Sequence, residues 1–562
     1  MNAPATTRRN AATARKHRAW PFTAGPAILV VLPLLGMSLK SDERLHLFQQ
    51  VYFTDVNLFG IGRYVEERLV NFLNIGNFRP IGRFTEVLVH GVVFEAAEAT
   101  GLTPHVLVGV VRVAVVALLA VLAAKMVQAL ARSAGVDADR SLVGLYPLAM
   151  GAVIVANGII GGLAQFPHTF IGAVVLILAA TLAIIRDRDL HPRPMRKREY
   201  ASMALFGAVL VMFYDVAYLA PLVAGAFLIA RVAVARVALR AALATAAVRR
   251  WAAFSAGFAA VFIPVRIDIA RRCARDACYT ASDLSISPEA FETALPRLAT
   301  GLPPVGWDYN ADLARLFAVD AGLADLATNA VLAVMLAGIV AMAVAAAARG
   351  WRSDRAGTAE TAATAATAGT AATDAAATTA TPPRNAHVRL AIALAGLGAF
   401  MAILSASLAG LSASMQQRNL PMGEAWREAQ LAQLAWSLII AGGLAALDLA
   451  ARSEGARRAL RAAVAAVLAV GLMFTFLANW RFAEVDRRDP TAAVTSLIAV
   501  STIHLDNSET GDTIRCLLIN GYVQVTPEKV WITGWRLRND LDRFMGERHG
   551  LPYCYPSTVD NP

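Results

Sequence analysis

The sequence has little charge for its length. Of its 562 residues, 17% are charged and 57% are hydrophobic, with a mean hydropathy of +0.51. About one quarter of the residues are charged in a soluble chain, so this composition excludes an ordinary soluble globular protein. Runs of roughly 20 apolar residues recur, and each is long enough to cross a bilayer as a helix. The sequence therefore predicts an all-α polytopic membrane protein in a lipid bilayer.

Acidic residues are missing from the N-terminal segment MNAPATTRRNAATARKHRAW, which is rich in arginine. Such a segment is also typical of a targeting peptide. The apolar run after it has no small-residue cleavage site, so we expect an uncleaved first span with a cytoplasmic N-terminus. The formal net charge of +11 comes from short clusters at the ends of apolar runs. This distribution follows the positive-inside rule and does not predict a nucleic-acid partner.

Apolar runs of membrane length predict eleven spans. The connections expected in the cytoplasm carry an excess of Arg and Lys, as orientation by basic loops requires. Because eleven is odd, the C-terminal tail is predicted to be extracytoplasmic. The predicted spans lie near residues 22–39, 105–130, 143–160, 168–186, 201–215, 216–235, 251–266, 320–348, 388–411, 431–450 and 461–478.

Cysteine is rare, with four residues in the chain. Cys273 and Cys278 follow the seventh predicted span, and Cys516 and Cys554 lie in the tail, so both pairs fall on the predicted outside. Disulfide bonds persist in oxidising compartments, and we therefore expect one disulfide in each pair. Four unrelated thiols are the alternative. The segment CARDAC also loosely resembles half of a zinc site, but it has no second Cys/His pair nearby.

Composition divides the chain into three parts. Residues 1–478 form the predicted transmembrane domain, with a large first outer loop at 40–104 and a second outer loop at 266–319. Residues 349–388 form a cytoplasmic loop rich in Ala and Thr, which is predicted to be disordered. Residues 479–562 contain β-branched runs broken by Asn, Gly and Pro, a pattern that predicts a small extracytoplasmic α/β domain.

The first outer loop is longer than a connection between two spans needs to be, and loops of this length usually have a function. It contains three candidate catalytic carboxylates, Asp55, Asp42 and Glu43. A carboxylate beside a lipid phosphate can act as general base when an acceptor hydroxyl attacks the anomeric carbon of a sugar. Asp42 and Glu43 are adjacent, and adjacent residues do not share a helix face. We therefore do not expect them to form an acid and base pair.

Arginines near the same membrane face are candidates for binding the phosphate of a lipid donor. Arg79 and Arg83 stand four residues apart in NFRPIGRF, and guanidinium groups match the geometry of phosphate. The alternative is that both anchor the chain among lipid headgroups. Arg112 lies inside the second predicted span, where a charge is costly and is a functional hypothesis by default. A snorkelling side chain is the alternative for Arg112.

Further polar groups near the predicted outer ends of spans are candidates for substrate binding. Aromatic rings can stack on a sugar face while charged groups bond to its hydroxyls. An interfacial loop, or a turn residue in the case of Asp215, is the alternative for each of them. The candidates are Asp215, His168, Arg418, Trp426 and Arg427, together with Glu424, Trp307 and Asp308.

The first span, the long outer loop with its acids, and the elements Arg79–Pro80 and Gly82–Arg83 before the second span resemble GT-C class integral-membrane glycosyltransferases. Bacterial families that use a polyprenyl-phosphate sugar are the most similar. The resemblance covers about the first 130 residues. It implies a GT-C-like fold in a bacterial inner (plasma) membrane and transfer of one sugar, with inversion, at the outer face. By position in these families, Asp55 corresponds to the catalytic acid, with Asp42 and Glu43 as alternatives.

The acceptor implied by this resemblance is a hydroxyl of a cell-envelope glycan, a glycolipid or a protein, in cell wall biogenesis. The need for a divalent metal is left open. The Ala- and Arg-rich composition suggests a GC-rich bacterium, for which an arabinofuranosyltransferase using decaprenyl-phosphoryl arabinose is one hypothesis.

A multi-span lipid or glycan transporter is the main alternative to an enzyme. Transporters usually place polar residues at mid-membrane, on interrupted helices in repeated halves. Here no repeat is visible and the polar residues cluster at one face, which favours an enzyme. A non-catalytic assembly protein is a third hypothesis.

Overall fold

The computed structural model describes residues 20–40, 43, 47, 57–158, 160–186, 190, 195–274, 284–319, 334–335, 337–348, 384–418, 420–525 and 534–555. Within these ranges the secondary structure is helical and contains no β-strand, apart from an isolated bridge between Leu284 and Ser412. Seven of the described helices are long and apolar enough to cross a membrane. The predicted all-α class and the multi-pass membrane character agree with this architecture.

The first helices begin and end at residues suited to those positions. Asn57 caps the second helix because its side chain accepts a hydrogen bond from the amide of Gly60 at 2.6 Å, a preferred N-cap arrangement. Gly101 ends the third helix in a left-handed conformation with φ 73°, which glycine adopts without strain. These helices are α1 Trp20–Val31, α2 Leu58–Asn74, α3 Pro80–Thr100 and α4 Pro104–Ala134.

The remaining helices alternate between long apolar ones and shorter ones that lie between them. They are α5 Tyr146–Ala152, α6 Pro167–Ile184, α7 Lys197–Val211, α8 Ala220–Ala235, α9 Leu239–Leu243, α10 Ala246–Cys273, α11 Pro288–Arg297, α12 Pro303–Leu316, α13 Ala337–Ala348, α14 Arg384–Gly410, α15 Ala413–Arg418, α16 Ala429–Leu447, α17 Glu454–Arg488, α18 Pro490–Ile503, α19 Glu509–Val525 and α20 Gly534–His549.

Seven of the eleven predicted spans correspond to helices of spanning length, namely α4, α6, α8 with the 3₁₀ turn before it, α10, α14, α16 and α17. The other four predicted spans contain the shorter helices α1, α5, α7 and α13. The count of eleven therefore stays a prediction. Most of the predicted disordered loop, residues 349–383, lies outside the described ranges.

Contacts between loops divide the protein into two ends. At one end, which we call the site end, the amide of Phe166 donates to Glu43 Oε1 at 3.2 Å and the hydroxyl of Ser38 donates to Asp486 Oδ1 at 2.8 Å. At the other, the Asp448 end, the amide of Leu142 donates to Asp448 Oδ2 at 2.8 Å. The first two contacts join described residues in or next to loops predicted to be extracytoplasmic, and the third joins described residues in or next to loops predicted to be cytoplasmic. Which side of the membrane each end faces stays a prediction.

A non-helical segment follows α5 and is buried from residue 153 to residue 158. Backbone groups at membrane depth must be satisfied inside the protein. Here three side-chain amides from other helices supply the partners. Asn479 accepts from the amide of Ala156 at 2.7 Å, Gln433 donates to the carbonyl of Val155 at 2.7 Å, and Asn310 donates to the carbonyl of Ala156 at 2.7 Å. The interruption of the predicted span 143–160 is thus held in a fixed conformation.

The predicted α/β character of the C-terminal domain is wrong for its described part. The runs TSLIAVSTIHL and TIRCLLINGYVQVT, which were expected to form strands, lie mainly in α18 and α19. Their buried residues Ile498, Ile519 and Tyr522 join an apolar cluster with Phe94 of α3. Burial against α3 outweighs the modest β-propensity of these residues. Residues 526–533, with most of the third expected strand, lie outside the described ranges.

The cysteine predictions are confirmed for the tail. Cys516 of α19 and Cys554 form a disulfide bond with a Cα to Cα distance of 5.0 Å. Cys273, at the end of α10, is also disulfide-bonded. Its predicted partner Cys278 lies outside the described ranges.

Candidate functional site

Polar residues lie along one face of helix α3 and at its N-cap, at the site end of the protein. Arg79, Arg83, Glu86 and His90 follow one another at spacings of four, three and four residues, which places them on one helix face. The start of the helix is held by the carbonyl of Met212, which accepts hydrogen bonds from the amides of Ile81 at 2.9 Å and Gly82 at 3.3 Å. α3 therefore begins directly against the end of α7.

Gly82 permits this close contact. A Cβ atom at this position would lie 2.0 Å from the carbonyl oxygen of Phe213, so any side chain would push the two segments apart. The approach matters because it brings Arg79 next to Tyr214, which immediately follows Phe213.

Two arginines flank the buried ring of Tyr214. The guanidinium carbon of Arg79 lies 5.1 Å from the centroid of this ring, and that of Arg427 lies 5.8 Å from it. Both distances fit cation–π contacts. Arg427 Nη1 also lies 3.8 Å from Asp215 Oδ2. The structure thus brings together Arg79, Arg427 and Asp215, which come from three distant parts of the sequence.

We call Arg79, Arg83, Glu86, Tyr214, Asp215 and Arg427 the arginine cluster. Its positive charges outnumber its negative charges. Arg83 Nη1 forms an ion pair with Glu86 Oε2 at 2.7 Å, and Asp215 is the other carboxylate. Among the described residues, three guanidinium groups (Arg79, Arg83, Arg427) thus accompany two carboxylates (Glu86, Asp215). Burial alone would lower the pKa of Arg79, but Glu86, Tyr214 and Asp215 raise it, and the net shift is upward. The pKa of Arg83 is lowered by burial. Arginine stays charged in either case, so the cluster is suited to an anion.

Several donor atoms in the cluster are buried and have no hydrogen-bond partner in the described part of the chain. Among the described residues, no hydrogen-bond acceptor meets the Tyr214 hydroxyl, Arg79 Nε or Arg83 Nε. Buried polar groups are normally hydrogen-bonded, and the exceptions need an explanation. A bound anion between Arg79 and Tyr214 would supply the missing acceptors.

A second group of buried residues adjoins the arginine cluster along α3. Glu43 Oε1 lies 3.6 Å from His90 Nε2, and His90 Nδ1 is 2.8 Å from the carbonyl oxygen of Glu86. The ring of His168 lies 5.2 Å from the ring of His90. Neither ring nitrogen of His168 has a hydrogen-bond partner in the described part of the chain. Glu43, His90 and His168 therefore form a buried carboxylate–imidazole group beside Glu86.

Arg112 is buried near Glu43, but its terminal nitrogens are engaged by backbone. Nη1 donates to the carbonyl of Leu34, and Nη2 donates to the carbonyl of Ala164 at 3.4 Å. These bonds link the end of α1 to the segment before α6. Arg112 therefore links parts of the scaffold, and its attraction to Glu43 acts through space.

Of the other predicted residues, two lie outside the described ranges and five are described. Asp42 and Asp55 lie outside the described ranges. Trp426 is 5% exposed and packs with Met415 and Ala409, so its role in sugar stacking stays a prediction. Trp307 is held inside by its bond to Thr475 Oγ1 at 2.9 Å, whereas Arg418 donates to Ser414 Oγ at 3.3 Å, away from Tyr214. Asp308 lines a cleft at the surface of α12, and burial raises the pKa of Glu424.

Three residues of the site were not predicted. Glu86 and His90 continue the spacing of Arg79 and Arg83 along α3, so the 4-3-4 pattern of polar residues in an otherwise apolar helix could have identified them. No comparable pattern surrounds Tyr214 in FYDVAYLAP. Its position depends on the close approach of Gly82 to Phe213, which only the folded structure reveals.

Within the described ranges, no three His, Cys, Asp or Glu side chains are grouped in a way that could hold a metal ion. Comparisons of the chain with protein-family models, with curated proteins and with solved structures gave no match.

Proposed function

We propose that this chain is a membrane glycosyltransferase that transfers a sugar from a polyprenyl-phosphate donor to a hydroxyl of a cell-envelope glycan, glycolipid or protein. A resemblance in sequence and one structural observation support the proposal. The first 130 residues or so resemble GT-C class enzymes. In addition, Arg79 and Arg427 lie over the buried ring of Tyr214, and the hydroxyl of this ring lacks a partner among the described residues. This second observation carries the proposal.

The reaction assigns a role to the positive surplus of the cluster. The acceptor oxygen forms a bond to the anomeric carbon while the bond from that carbon to the phosphate oxygen breaks. The acceptor hydroxyl gives its proton to a carboxylate, and the leaving polyprenyl phosphate gains one negative charge. Donors placed where charge develops lower the barrier. Arg79, Arg83, Arg427 and the Tyr214 hydroxyl would hold the leaving phosphate.

The base is assigned to a carboxylate of the first outer loop. Glu43 is the candidate whose surroundings are described, and His90, 3.6 Å away, could take up the proton from it. The resemblance favours Asp55, and Asp42 is the third candidate. Asn or Gln variants distinguish the three, because such a variant keeps the shape of the side chain but cannot accept the proton at physiological pH.

Transport is the rival function, and the interrupted helix after α5 is a feature that transporters share. In transporters such an interruption offers free backbone groups to the substrate. Here the amides of Asn479, Gln433 and Asn310 already bond to backbone groups of this segment. This arrangement favours a structural role for the interruption and an enzymatic role for the chain.

The test is sugar transfer by the full chain in nanodiscs supplied with a radiolabelled polyprenyl-phosphate sugar and envelope glycan acceptors. We expect Arg79→Gln to lower transfer roughly 100-fold, as removal of a donor to developing charge does. The matched control is Arg63→Gln, because Arg63 is exposed and pairs with Glu67 on the surface of α2. Movement of the lipid across the membrane without a new glycosidic bond would support the transporter instead.

A further inference from the structure

An apolar groove of about 450 Å³ lies between α8 and α14, beside α10. Leu222 and Ile229 of α8 form one wall, Ile392 and Phe400 of α14 form the other, and Trp251 of α10 closes it. Ile229 is 72% exposed and Ile392 is 68% exposed. Because α8, α10 and α14 are spanning helices, this surface faces lipid in a bilayer. The groove therefore opens sideways into the membrane.

The groove begins close to the arginine cluster. Asp215, which pairs with Arg427, starts a 3₁₀ turn that continues without a break into α8, and Pro221 at the top of the groove follows six residues later. With a rise of about 1.5 to 2 Å per residue, Pro221 lies roughly 10 Å along the axis from Asp215. A molecule with its head at Arg427 and Tyr214 could extend directly into the groove.

The walls of the groove have the chemistry of a hydrocarbon site. Trp251 Nε1 donates to the carbonyl of Pro221 at 2.9 Å, so the polar atom of the indole is already satisfied. Gly396 lies at the wall, and a Cβ atom there would meet no other atom within 4 Å. The groove thus offers open space, apolar surface and a rigid aromatic side. Its volume is within the range of ligand-binding clefts.

We propose that this groove holds the hydrocarbon chain of the same lipid whose phosphate is bound by the arginine cluster, and not a chain of bulk phospholipid. The inference rests on the proposed function for the identity of the lipid. Lipid tails are already in an apolar environment, so the groove adds no hydrophobic driving force and acts through van der Waals contact and shape. The arginine cluster supplies the affinity, and the groove selects the length and shape of the chain.

The experiment is photolabelling of the full-length protein in phosphatidylcholine nanodiscs. One probe is a polyprenyl phosphate with a diazirine on its chain, and the other is a phosphatidylcholine with a diazirine at the same depth. Labelled peptides are then mapped by mass spectrometry. Gly396→Leu fills the groove without a clash. Gly443→Leu of α16 is the matched control, since Gly443 is also exposed in a helix with open space around its Cβ position.

We expect the phosphate probe to label peptides of α8 and α14, and excess unlabelled polyprenyl phosphate to suppress this labelling. Filling the groove by Gly396→Leu should reduce the labelling about fivefold or more, whereas Gly443→Leu should leave it unchanged. Equal labelling by both probes, without competition, would show that bulk lipid occupies the groove. Labelling that is insensitive to Gly396→Leu would also overturn the assignment.

The outcomes separate this inference from the proposed function. Sugar transfer by the wild type together with labelling outside α8 and α14 would reject the groove and leave the function standing. Specific labelling of the groove in a protein that never transfers sugar would reject the function and leave a lipid-phosphate site.

Discussion

Replacing Tyr214 is expected to weaken donor binding without lowering the stability of the protein. Its hydroxyl is buried without a partner among the described residues, so removing it should not cost a hydrogen bond in the unliganded protein. For Tyr214→Phe we expect an unchanged midpoint of thermal unfolding. The KM for the polyprenyl-phosphate sugar should rise about tenfold, as loss of a hydrogen bond to a charged group does. Steady-state transfer kinetics and thermal unfolding in detergent measure the two effects.

Tyr146, near the Asp448 end, is the control residue, because its replacement should affect stability and not donor binding. Its hydroxyl lies 2.9 Å from Ser437 Oγ and is buried. Tyr146→Phe should therefore lower the unfolding midpoint and leave KM unchanged. A KM for Tyr214→Phe equal to that of the wild type would show that the hydroxyl does not meet the donor.

Gly82 determines how closely α3 approaches Tyr214. Because a Cβ atom would lie 2.0 Å from the carbonyl oxygen of Phe213, Gly82→Ala must displace one of the two segments. We expect a destabilisation of about 1 to 3 kcal/mol and a larger fractional loss of transfer, since Arg83 moves with the helix. Thermal unfolding and the transfer assay check this expectation.

Gly62→Ala in α2 is the matched control, because a Cβ atom there meets nothing within 4 Å. It should be neutral or slightly stabilising, as alanine favours a helix interior over glycine. If Gly82→Ala behaves like Gly62→Ala, the close contact between α3 and Phe213 does not exist.

At the residue scale, the sequence indicated which arginines are candidate phosphate ligands, but not which groups each arginine contacts in the folded protein. Arg79 and Arg83 were predicted as phosphate ligands from their fixed fork of donors, and they do lie at the positive cluster. Arg112 was predicted to join them, but its terminal nitrogens bond to the carbonyls of Leu34 and Ala164. A buried arginine can satisfy its donors on the backbone of any nearby helix end, and sequence alone does not reveal which helix ends are near.

At the element scale, the contact between the end of α16 and the turn before α5 predicts a pH dependence. Burial raises the pKa of Asp448 to about 6, although the Leu142 amide and two arginines lower it. A raised pKa means that the folded state binds the proton more tightly than the unfolded state does. The resulting stability is present below the ordinary pKa of about 4 and is lost as the pH rises through about 6.

Asp448→Asn keeps an acceptor for the Leu142 amide but cannot ionise. Between about pH 4 and pH 7 the unfolding midpoint of the wild type should therefore fall relative to that of the variant. His387 Nδ1 is 3.7 Å from Asp448 Oδ2, so the difference between the two proteins reports Asp448 together with its coupling to His387. A difference in midpoint that is independent of pH would contradict the assignment.

The disulfide of the C-terminal domain predicts a local loss of stability on removal. Cys516 and Cys554 are separated by 38 residues, and closing a loop of this length contributes about 4 kcal/mol in the chain-entropy account. In the double Ser variant we expect faster hydrogen exchange in α19 and α20, while peptides of α16 serve as an internal reference. Unchanged exchange in α19 would show that packing against α3 alone holds the domain.

Helices of spanning length could be predicted because a bilayer imposes an apolar run of fixed length. The start of the interruption after α5 could not, since Val153, Ile154, Val155 and Ala156 are all apolar and the amides that bond to this segment come from distant parts of the chain. The prediction of strands in the C-terminal domain was wrong for another reason. Ile498 and Ile519 favour strands only weakly, and their burial in one cluster with Phe94 decides in favour of helices.

At the scale of the whole molecule, the chain has two ends with different contacts. In the described part of the chain, the contacts Glu43–Phe166 and Leu142–Asp448 each join loops or span ends that the span order places on the same side of the membrane. The arginine cluster, the carboxylate–imidazole group and the top of the lipid groove all lie at one of these ends. We therefore propose that the donor binds at the site end.

The most direct measurement is a cryo-EM structure of the full chain in nanodiscs with a polyprenyl-phosphate sugar whose cleavable oxygen is replaced by a methylene group. The account predicts phosphate density within hydrogen-bond distance of the Tyr214 hydroxyl and the Arg79 guanidinium. Phosphate density elsewhere, for example at the Asp448 end, with the Tyr214 hydroxyl still without a partner, would contradict it.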